Sequence, residues 1–218
     1  MGDVQPSGRR PYNAPRRQAR AEESKRRVAA CARELFVTRG YAATTVDDIA
    51  AAAGVGRRSI YDTFGNKRGI LFALLGELAV AEEAELNAAI EASAGDAVTQ
   101  LRLAIEFVTT LYDRAADLLD MVHAAAGADP DLAAVDAEGE RRRLENERPT
   151  VADWYRRGLL RVGLSRAQAT DILWVMTSPQ LYRLFVAERG WPVGAFREWL
   201  TSQLVHALLA ETVQERKD

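Results

Sequence analysis

The chain has 218 residues, of which 48% are hydrophobic and 28% charged, and its formal net charge is −2. This length and apolar content suffice for a packed core, and the single cysteine, Cys31, excludes an intrachain disulfide and a multi-cysteine zinc site. No run is apolar enough for a signal peptide or a membrane span, so we expect a cytoplasmic protein with no membrane partner.

The charge is distributed unevenly along the chain. Residues 1–70 contain 14 Lys and Arg against 7 Asp and Glu, whereas residues 71–218 contain 15 against 24. Such asymmetry is typical of a nucleic-acid-facing end joined to a part with another role. A solvated charged face would give the same counts, so charge alone leaves both interpretations open.

No segment alternates apolar and polar residues over the length of a strand, and the sequence therefore predicts an all-α fold. Residues 1–20 combine three prolines and five arginines with little apolar content, which predicts a disordered basic arm. The arm either contacts DNA or acts as a solubilising tail. A first helix is expected from about Glu22 to Arg39, where Gly40 follows as a C-terminal stop.

Three further helices are expected before residue 80. Thr44 and Thr45 precede an acidic first turn, which predicts an N-cap and a short second helix ending at Gly54. A third helix spans Arg57–Phe64, and Asn66 caps a long fourth helix. Beyond residue 95 the apolar spacing predicts helices over residues 96–113, 115–126, 130–159 with an interruption near Pro149, 166–189 and 193–213.

The second and third helices have the features of a helix-turn-helix. Such a motif needs a small residue where the helices cross, a turn residue that tolerates positive φ, and apolar residues that clamp the pair. Ala50, Gly54, Val55 and Ile60 occupy these positions. With Ile60 facing inward, the outward residues are Arg57, Arg58 and Thr63, whose side chains are able to donate to bases or phosphates in a major groove.

The run ARELFVTRGYAATTVDDIAAAAGVGRRSIYDTFGNKRGILFALL resembles the DNA-binding region of the TetR family of transcriptional regulators. The matching residues are Phe36, Gly40, Tyr41, Thr44, Thr45, Ile49, Ala50, Gly54, Val55, Ile60, Tyr61, Phe64 and Lys67. The resemblance implies a ligand-responsive regulator, most simply a repressor, that binds a palindromic operator in double-stranded DNA as a homodimer. It also implies three parts: the arm over 1–20, a helix-turn-helix domain over 21–66, and a helical ligand-binding and dimerisation domain over 67–218.

The resemblance implies specific roles in DNA binding. Tyr61, Lys67 and Thr44 or Thr45 would contact phosphates, and the outer face of Arg57–Thr63, which includes Ser59, would read bases. The sequence departs from the common pattern at Gly56, Arg58, Asp62, Thr63 and Gly65, so the operator sequence does not follow from it. Asp62 is the most unusual, because phosphate would repel its carboxylate unless the group accepts from a cytosine amine.

The acidic remainder of the chain resembles the family's ligand-binding and dimerisation helices. Bulky residues on its middle helices are candidates for a small-molecule pocket, although plain core positions would look the same. The pocket candidates are Leu103, Phe107, Tyr112, Met121, His123, Trp154 and Tyr155. For the dimer interface, with the monomer core as the alternative, the candidates are Trp174, Phe196, Trp199, Leu200, Leu204 and Leu208.

Two other protein classes fit the sequence less well. A helical-bundle enzyme or metal-binding protein would need repeated Glu-x-x-His motifs, whereas the chain has only His123 and His206. No nucleophile motif or phosphate-cradling glycine loop is present, so we expect no catalysis, cofactor or metal. An architectural DNA-coating protein would need basic charge over most of its surface, which the acidic two-thirds opposes.

Overall fold

The computed structural model describes residues 14–93 and 95–211, with the backbone alone at residues 14–17, 79–85 and 87. Its helices are α1 (Ala14–Arg39), α2 (Val46–Ala53), α3 (Arg57–Phe64), α4 (Lys67–Ala92), α5 (Ala97–Ala125), α6 (Pro130–Arg156), α7 (Arg166–Met176), α8 (Pro179–Tyr182), a π-helical segment (Arg183–Glu188) and α9 (Val193–Leu208). The described residues contain no β-strand apart from one isolated bridge between Leu160 and Leu209. The predicted all-α fold is confirmed.

A first hydrophobic core joins the N-terminal helices to two helices of the remainder. Phe36 of α1, Ile49 of α2 and Ile60 of α3 are buried together with Ile70 of α4. The same core contains Leu118 and Val122 from the end of α5, and Leu132 and Val135 from the start of α6. The small N-terminal unit, α1 to α3, thus completes its core with the end of α5 and the start of α6, because three helices of which two are short cannot enclose a core alone.

A second hydrophobic core lies among α5, α6, α7, α8 and α9. Leu101 and Ile105 of α5 pack there with Trp154 of α6 and with the inner face of α9. Because α5 and α6 contribute to both cores, these two helices connect the N-terminal unit rigidly to the rest of the molecule.

The N-terminal helix starts earlier than predicted. α1 begins at Ala14, so residues 14–20, predicted as part of the disordered arm, are helical. Pro15 falls in the first turn, where its missing N–H costs no intrahelical bond, and good helix formers follow it. Residues 1–13 of that arm lie outside the described residues.

Two predicted interruptions and one predicted continuous helix in the later part of the chain are wrong. The expected helices 96–113 and 115–126 are one helix, α5, since no glycine or proline separates them. α6 continues through Pro149, which is exposed, so that water is able to hydrate the carbonyl that loses its donor. The expected helix 166–189 instead breaks at Thr177, because Pro179 forces Ser178 into an extended conformation with ψ of 146°.

Candidate nucleic-acid interface

The turn between α2 and α3 is built as the sequence predicts. Thr45 caps α2 in a capping box with Asp48, each group satisfying the other's backbone N–H. Gly54 ends α2 in the left-handed region, with φ of 62° and ψ of 38°, and the N–H of Val55 returns to the carbonyl of Ala50 at 3.1 Å. This tight C-terminal cap turns the chain directly into α3.

α3 buries one side chain and presents the others to solvent. Ile60 is 1% exposed and Phe64 is half-buried, so this stripe fixes the helix against the first core. The remaining side chains of α3 are exposed: Arg57 and Thr63, each three residues from Ile60, lie beside the buried stripe, and the others lie further round the helix. We call these exposed side chains of α3 the reading face; they are Arg57, Arg58, Ser59, Tyr61, Asp62 and Thr63.

Each arginine of the reading face has a carboxylate partner. Arg57 donates to Asp47 of α2 at 2.9 Å and to the Tyr61 hydroxyl at 3.2 Å, and its guanidinium lies 5.4 Å from the centre of the Tyr61 ring. Arg58 approaches Asp62, four residues later, only to 3.8 Å. The Arg58 side chain is 94% exposed, against 59% for Arg57. Arg57 is therefore held on two sides, whereas Arg58 is nearly free.

Thr44, predicted as a phosphate contact, does not belong to the exposed surface. Its side chain is 1% exposed, and its hydroxyl lies within hydrogen-bonding distance of the carbonyls of Gly40 at 2.9 Å and Leu35 at 3.2 Å. Thr44 therefore fixes the loop between α1 and α2. Its neighbour Thr45 is exposed at the start of α2, where helix N–H groups favour anions.

Lys67 is engaged within the protein. Its ammonium donates to the carbonyls of Tyr41 at 2.7 Å and Thr44 at 3.0 Å, and it lies 4.0 Å from the centre of the Tyr41 ring. Burial lowers the pKa of this ammonium. With two of its three N–H donors occupied, Lys67 has one left for a phosphate, and the structure gives it an internal role that sequence reasoning missed.

Two polar links tie the N-terminal unit to the body, and sequence reasoning missed both. Arg33 of α1 donates to both carboxylate oxygens of Asp117 on α5, at 2.7 and 3.1 Å. Asp131, at the start of α6, accepts from Arg68 at 3.3 Å and from the Tyr41 hydroxyl at 3.4 Å. These contacts join residues 63 to 90 positions apart, which no local pattern predicts.

The predicted pocket residues do not form one cavity. His123 and Tyr155 are exposed, so their assignment to a pocket is wrong; each lies on the solvent face of its helix.

The other pocket candidates are buried or half-buried. The Tyr112 hydroxyl is buried and donates to the Thr177 carbonyl at 2.8 Å, and the buried Trp154 indole donates to Gln100 at 2.8 Å. Met121 packs against the first core. The other candidates, Leu103 and Phe107, are half-buried on α5.

A polar cluster between α6 and α7 includes a buried carboxyl. Glu147 accepts from the Thr177 hydroxyl at 2.7 Å, while Arg143, one turn earlier, pairs with Glu140 at 2.6 Å and donates to the Trp174 carbonyl. Burial raises the pKa of Glu147 to about 7. The Glu147 Oε2 and the Trp174 Nε1 are buried side-chain atoms without a hydrogen-bond partner among the described residues.

A surface cleft of about 360 Å³ lies between α4 and α6. It is lined by Arg68, Phe72, Ala134, Glu138 and Arg142. Glu138 lies between two arginines of its own helix, which hold the pKa of its carboxyl down at about 2. Both signs of charge therefore line this cleft.

Four of the predicted interface residues lie in the protomer's own core. Phe196, Leu200, Leu204 and Leu208 are each at most 1% exposed and face the second core. Their spacing of four predicts a buried stripe correctly, but no sequence pattern tells a monomer core from an interface. Trp199 is half-buried with its ring centre 4.6 Å from that of Phe185, and Trp174 is half-buried as well.

The apolar side chains that are exposed in this region are different ones. Val175 is 55% exposed, Leu184 44% and Trp191 37%. We call these three residues the outer apolar patch.

Within residues 14–93 and 95–211, no three His, Cys, Asp or Glu side chains lie close enough together to hold a metal ion. No helix of that part of the chain is long and apolar enough to cross a membrane.

Comparison with known proteins gives a consistent result. The family described as "Bacterial regulatory proteins, tetR family" matches residues 30–74. The HTH-type transcriptional regulator CymR of Pseudomonas putida is 32% identical over 169 residues, which are 75% of this chain and 80% of CymR.

Solved structures of similar fold agree with this match. NalD of Pseudomonas aeruginosa, the secondary repressor of the MexAB-OprM multidrug efflux pump, superposes with a TM-score of 0.68 at 20% identity, covering 87% of this chain and 98% of NalD. The SmeT protein in its triclosan complex superposes with a TM-score of 0.69 at 18% identity, covering 88% of this chain and 94% of SmeT.

Proposed function

The chain belongs to the TetR family of bacterial transcriptional regulators, and from this premise we propose that it represses transcription by binding an inverted-repeat operator as a homodimer and leaves the operator when a small organic effector binds. Members of the family are DNA-binding regulators, which confirms the prediction that the chain is not an enzyme. Its place of action would be the cytoplasm, where the operator lies.

The observation that carries the proposal is the reading face. α3 has eight residues, and because an α-helix with its side chains is about 10–12 Å in diameter, a B-DNA major groove about 12 Å wide accepts it. Buried Ile60 anchors the helix to the protein, and the donors Arg57, Arg58 and Thr63 are exposed to solvent. In such a groove an arginine donates two hydrogen bonds to guanine O6 and N7.

Phosphate contacts would flank the base contacts on either side. Tyr61 is 40% exposed and presents a hydroxyl beside the guanidinium of Arg57. Thr45 is exposed at the N-terminus of α2, where free N–H groups attract phosphate oxygens. Lys67 would act mainly by holding the loop that carries Thr44 and Thr45, and its third donor would add one phosphate contact.

We infer that the outer apolar patch is the dimer contact. The patch comprises Val175 on α7, Leu184 on the π-helical segment and Trp191 just after that segment. These elements are distant in sequence from α3, which carries the reading face. A second copy related by a two-fold axis would bury the same patch on both protomers. The dimer would then present two copies of α3 to two half-sites of a palindrome.

The effector would enter between α6 and α7. The unpartnered Glu147 Oε2 and Trp174 Nε1 are polar groups of the kind that orient a bound ligand. The triclosan complex of SmeT supports an effector of small, largely apolar chemistry. Both α5 and α6 reach from this region into the first core, so a shift of either helix would move the reading face.

Selection of bound sequences from random double-stranded DNA tests the proposal. The expected product is an inverted repeat whose half-site centres lie about 34 Å apart, or a multiple of that distance. Adding a library of small apolar compounds to the selected complex should then identify one that releases the DNA. Enrichment of no sequence would refute the proposal.

A further inference from the structure

We propose that Asp47 is a specificity-determining residue of the reading face: it holds the Arg57 guanidinium in place for a guanine and disfavours that guanidinium's contact with phosphate. The inference rests on the proposed function, because it assigns a role in reading DNA. It concerns a residue on α2 that does not itself need to touch a base.

Asp47 reaches Arg57 across the turn between the two helices. It lies in the first turn of α2, ten residues before Arg57, and its Oδ2 accepts from the Arg57 Nη1 at 2.9 Å. The other terminal nitrogen of Arg57 donates to the Tyr61 hydroxyl at 3.2 Å, with the guanidinium 5.4 Å from the centre of that ring. One carboxylate, one hydroxyl and one ring therefore fix the position of a side chain that is otherwise long and flexible.

The remaining donors of Arg57 match a guanine. A guanidinium has five N–H groups, and the contacts with Asp47 and Tyr61 use one on each terminal nitrogen. Each terminal nitrogen keeps a second N–H, and this pair is able to donate to O6 and N7 of one guanine. Because the side chain is already fixed, less rotamer entropy is lost when those two bonds form.

The charge of Asp47 acts differently on bases and on phosphates. A guanine edge has no net charge, so the Asp47 carboxylate repels it only weakly. A phosphate that binds Arg57 is negatively charged, and Asp47 repels it more strongly. Both side chains are well exposed, at 59% for Arg57 and 62% for Asp47, so the pair itself stabilises the free protein little. The pair instead affects discrimination, since Asp47 lowers the affinity of Arg57 for a phosphate more than its affinity for a guanine.

Arg58 and Asp62 provide a matched comparison within the same helix. Asp62 is also a carboxylate near an arginine of the reading face, but it lies 3.8 Å from Arg58, whose side chain is 94% exposed. Removing Asp62 removes one negative charge without releasing Arg57. The pair of variants Asp47→Ala and Asp62→Ala therefore separates positioning from simple charge.

The experiment measures base preference and salt dependence on the sequence that wild-type protein selects. Arg57→Ala first identifies the base pair in each half-site whose preference depends on Arg57. We expect Asp47→Ala to reduce the preference at that base pair about fivefold, near the upper range for an exposed pair, and to strengthen binding to a scrambled duplex. Asp47→Asn, which keeps an acceptor oxygen, should retain part of the preference, and Asp62→Ala should leave it unchanged.

Three outcomes would overturn the inference. In the first, Asp47→Ala retains the wild-type preference at the Arg57-dependent base pair. In the second, Asp62→Ala loses that preference to the same degree as Asp47→Ala. In the third, Asp47→Ala weakens binding to the selected and the scrambled duplex equally. The capping box uses Thr45 and Asp48, so the Asp47 variants keep the α2 N-terminus, and thermal unfolding verifies this. A wild-type protein that selects no sequence would instead refute the proposed function itself.

Discussion

Arg57 and Arg58 are adjacent in the sequence but differ in mobility. Arg57 is fixed by Asp47 and Tyr61, whereas Arg58 has one distant partner and an almost fully exposed side chain. A fixed arginine suits a defined base, and a free one is able to adapt to a base or a phosphate as the duplex requires. We therefore expect Arg57 to contribute more to sequence preference and Arg58 more to general affinity.

A pH-dependent stability is predicted at Glu147. Burial raises its pKa from 4.5 to about 7, so the folded protein keeps this proton in a range where the unfolded chain has released it. The stabilisation from this proton is complete below about pH 4.5 and is lost as the pH rises through about 7. Glu147→Gln imitates the protonated form and should raise the free energy of unfolding at pH 8 by about 1–3 kcal/mol.

Urea unfolding between pH 5 and pH 8 measures this difference. The gain of Glu147→Gln over wild type should shrink as the pH falls, while Glu91→Gln, at an exposed position of α4, should show no such trend. A gain that is equal at pH 5 and pH 8 would contradict the assignment of the titration to Glu147.

Side-chain direction is the part of the site that the sequence predicts least well at this scale. The helical period places Arg58 opposite Ile60, but it places Arg57 and Thr63 beside Ile60, so the exposure of those two side chains depends on what packs around α3. Thr44 and Lys67 lie in or beside loops, where no period applies, and their contacts depend on carbonyls that the folded chain brings to them. A polar residue in such a loop is equally able to face a phosphate or the protein's own backbone.

Two glycines on the helices that flank α3 differ in what they permit. Gly54, the C-cap of α2, supplies positive φ, and an added Cβ there would meet no atom of the described residues within 4 Å, so the requirement for glycine is one of backbone conformation. Gly69, in the first turn of α4, permits a close approach, because an added Cβ would lie 1.8 Å from the Phe64 carbonyl oxygen. The exit from α3 therefore depends on a residue with no side chain.

Gly69→Ala and Gly76→Ala should have opposite effects on stability. At Gly69 the methyl group would force the α3–α4 turn apart, which should destabilise the protein and reduce DNA affinity. At Gly76, in the interior of α4, no atom among the described side chains and backbone lies within 4 Å of the added Cβ, and alanine should stabilise the helix by about 0.5–1 kcal/mol. Chemical denaturation of both variants checks the signs; equal stability of the two would contradict the close contact at Gly69.

Helix existence was predictable at this scale, and helix continuity was not. The caps Thr45 and Asn66 lie where the sequence predicts them, because each depends on its own side chain and the next three residues. The continuation of α6 through Pro149 depends on which face of the helix meets solvent, and the break at Thr177 on a proline two residues later. The continuation of α6 is therefore set by packing, and the break at Thr177 by a nearby proline, rather than by a capping residue.

Connection between the two cores is the main property of the whole molecule. α5 and α6 contribute residues to both, and the Arg33–Asp117 and Arg68–Asp131 pairs fix the N-terminal unit to these helices. A displacement of α6 near Glu147 would therefore be transmitted to Leu132 beneath the DNA-binding helices. The division of the chain at residue 66 stays a prediction, since the first core crosses it through α4.

The sequence predicted the family and the position of the DNA-binding helices, but not which apolar side chains of the C-terminal helices are exposed. Phe196 and Leu200 have the spacing of a buried stripe, and the structure uses them to close the protomer. Val175 and Leu184 are single apolar residues in mixed surroundings and give no periodic signal, although they are the exposed ones. Which apolar stripe meets a partner depends on the tertiary arrangement.

Loss of dimerisation is predicted for the double variant Val175→Asp and Leu184→Asp. Both side chains are exposed in the protomer, so the fold should tolerate the charges, while two copies facing each other would bury them at high cost. Sedimentation velocity should show a monomer with wild-type helix content. A dimer of unchanged affinity would assign the two-fold contact to another surface.

The decisive measurement is the affinity of wild-type protein and of the double variant Arg57→Ala and Arg58→Ala for the selected inverted repeat, measured by fluorescence anisotropy beside a scrambled duplex. Both side chains are exposed, so thermal unfolding should not change. The variant should lose the preference for the selected repeat, with an affinity lower by about 100-fold, as expected for two lost base-reading arginines. A variant that still prefers the repeat as strongly as wild type would show that α3 does not read the operator.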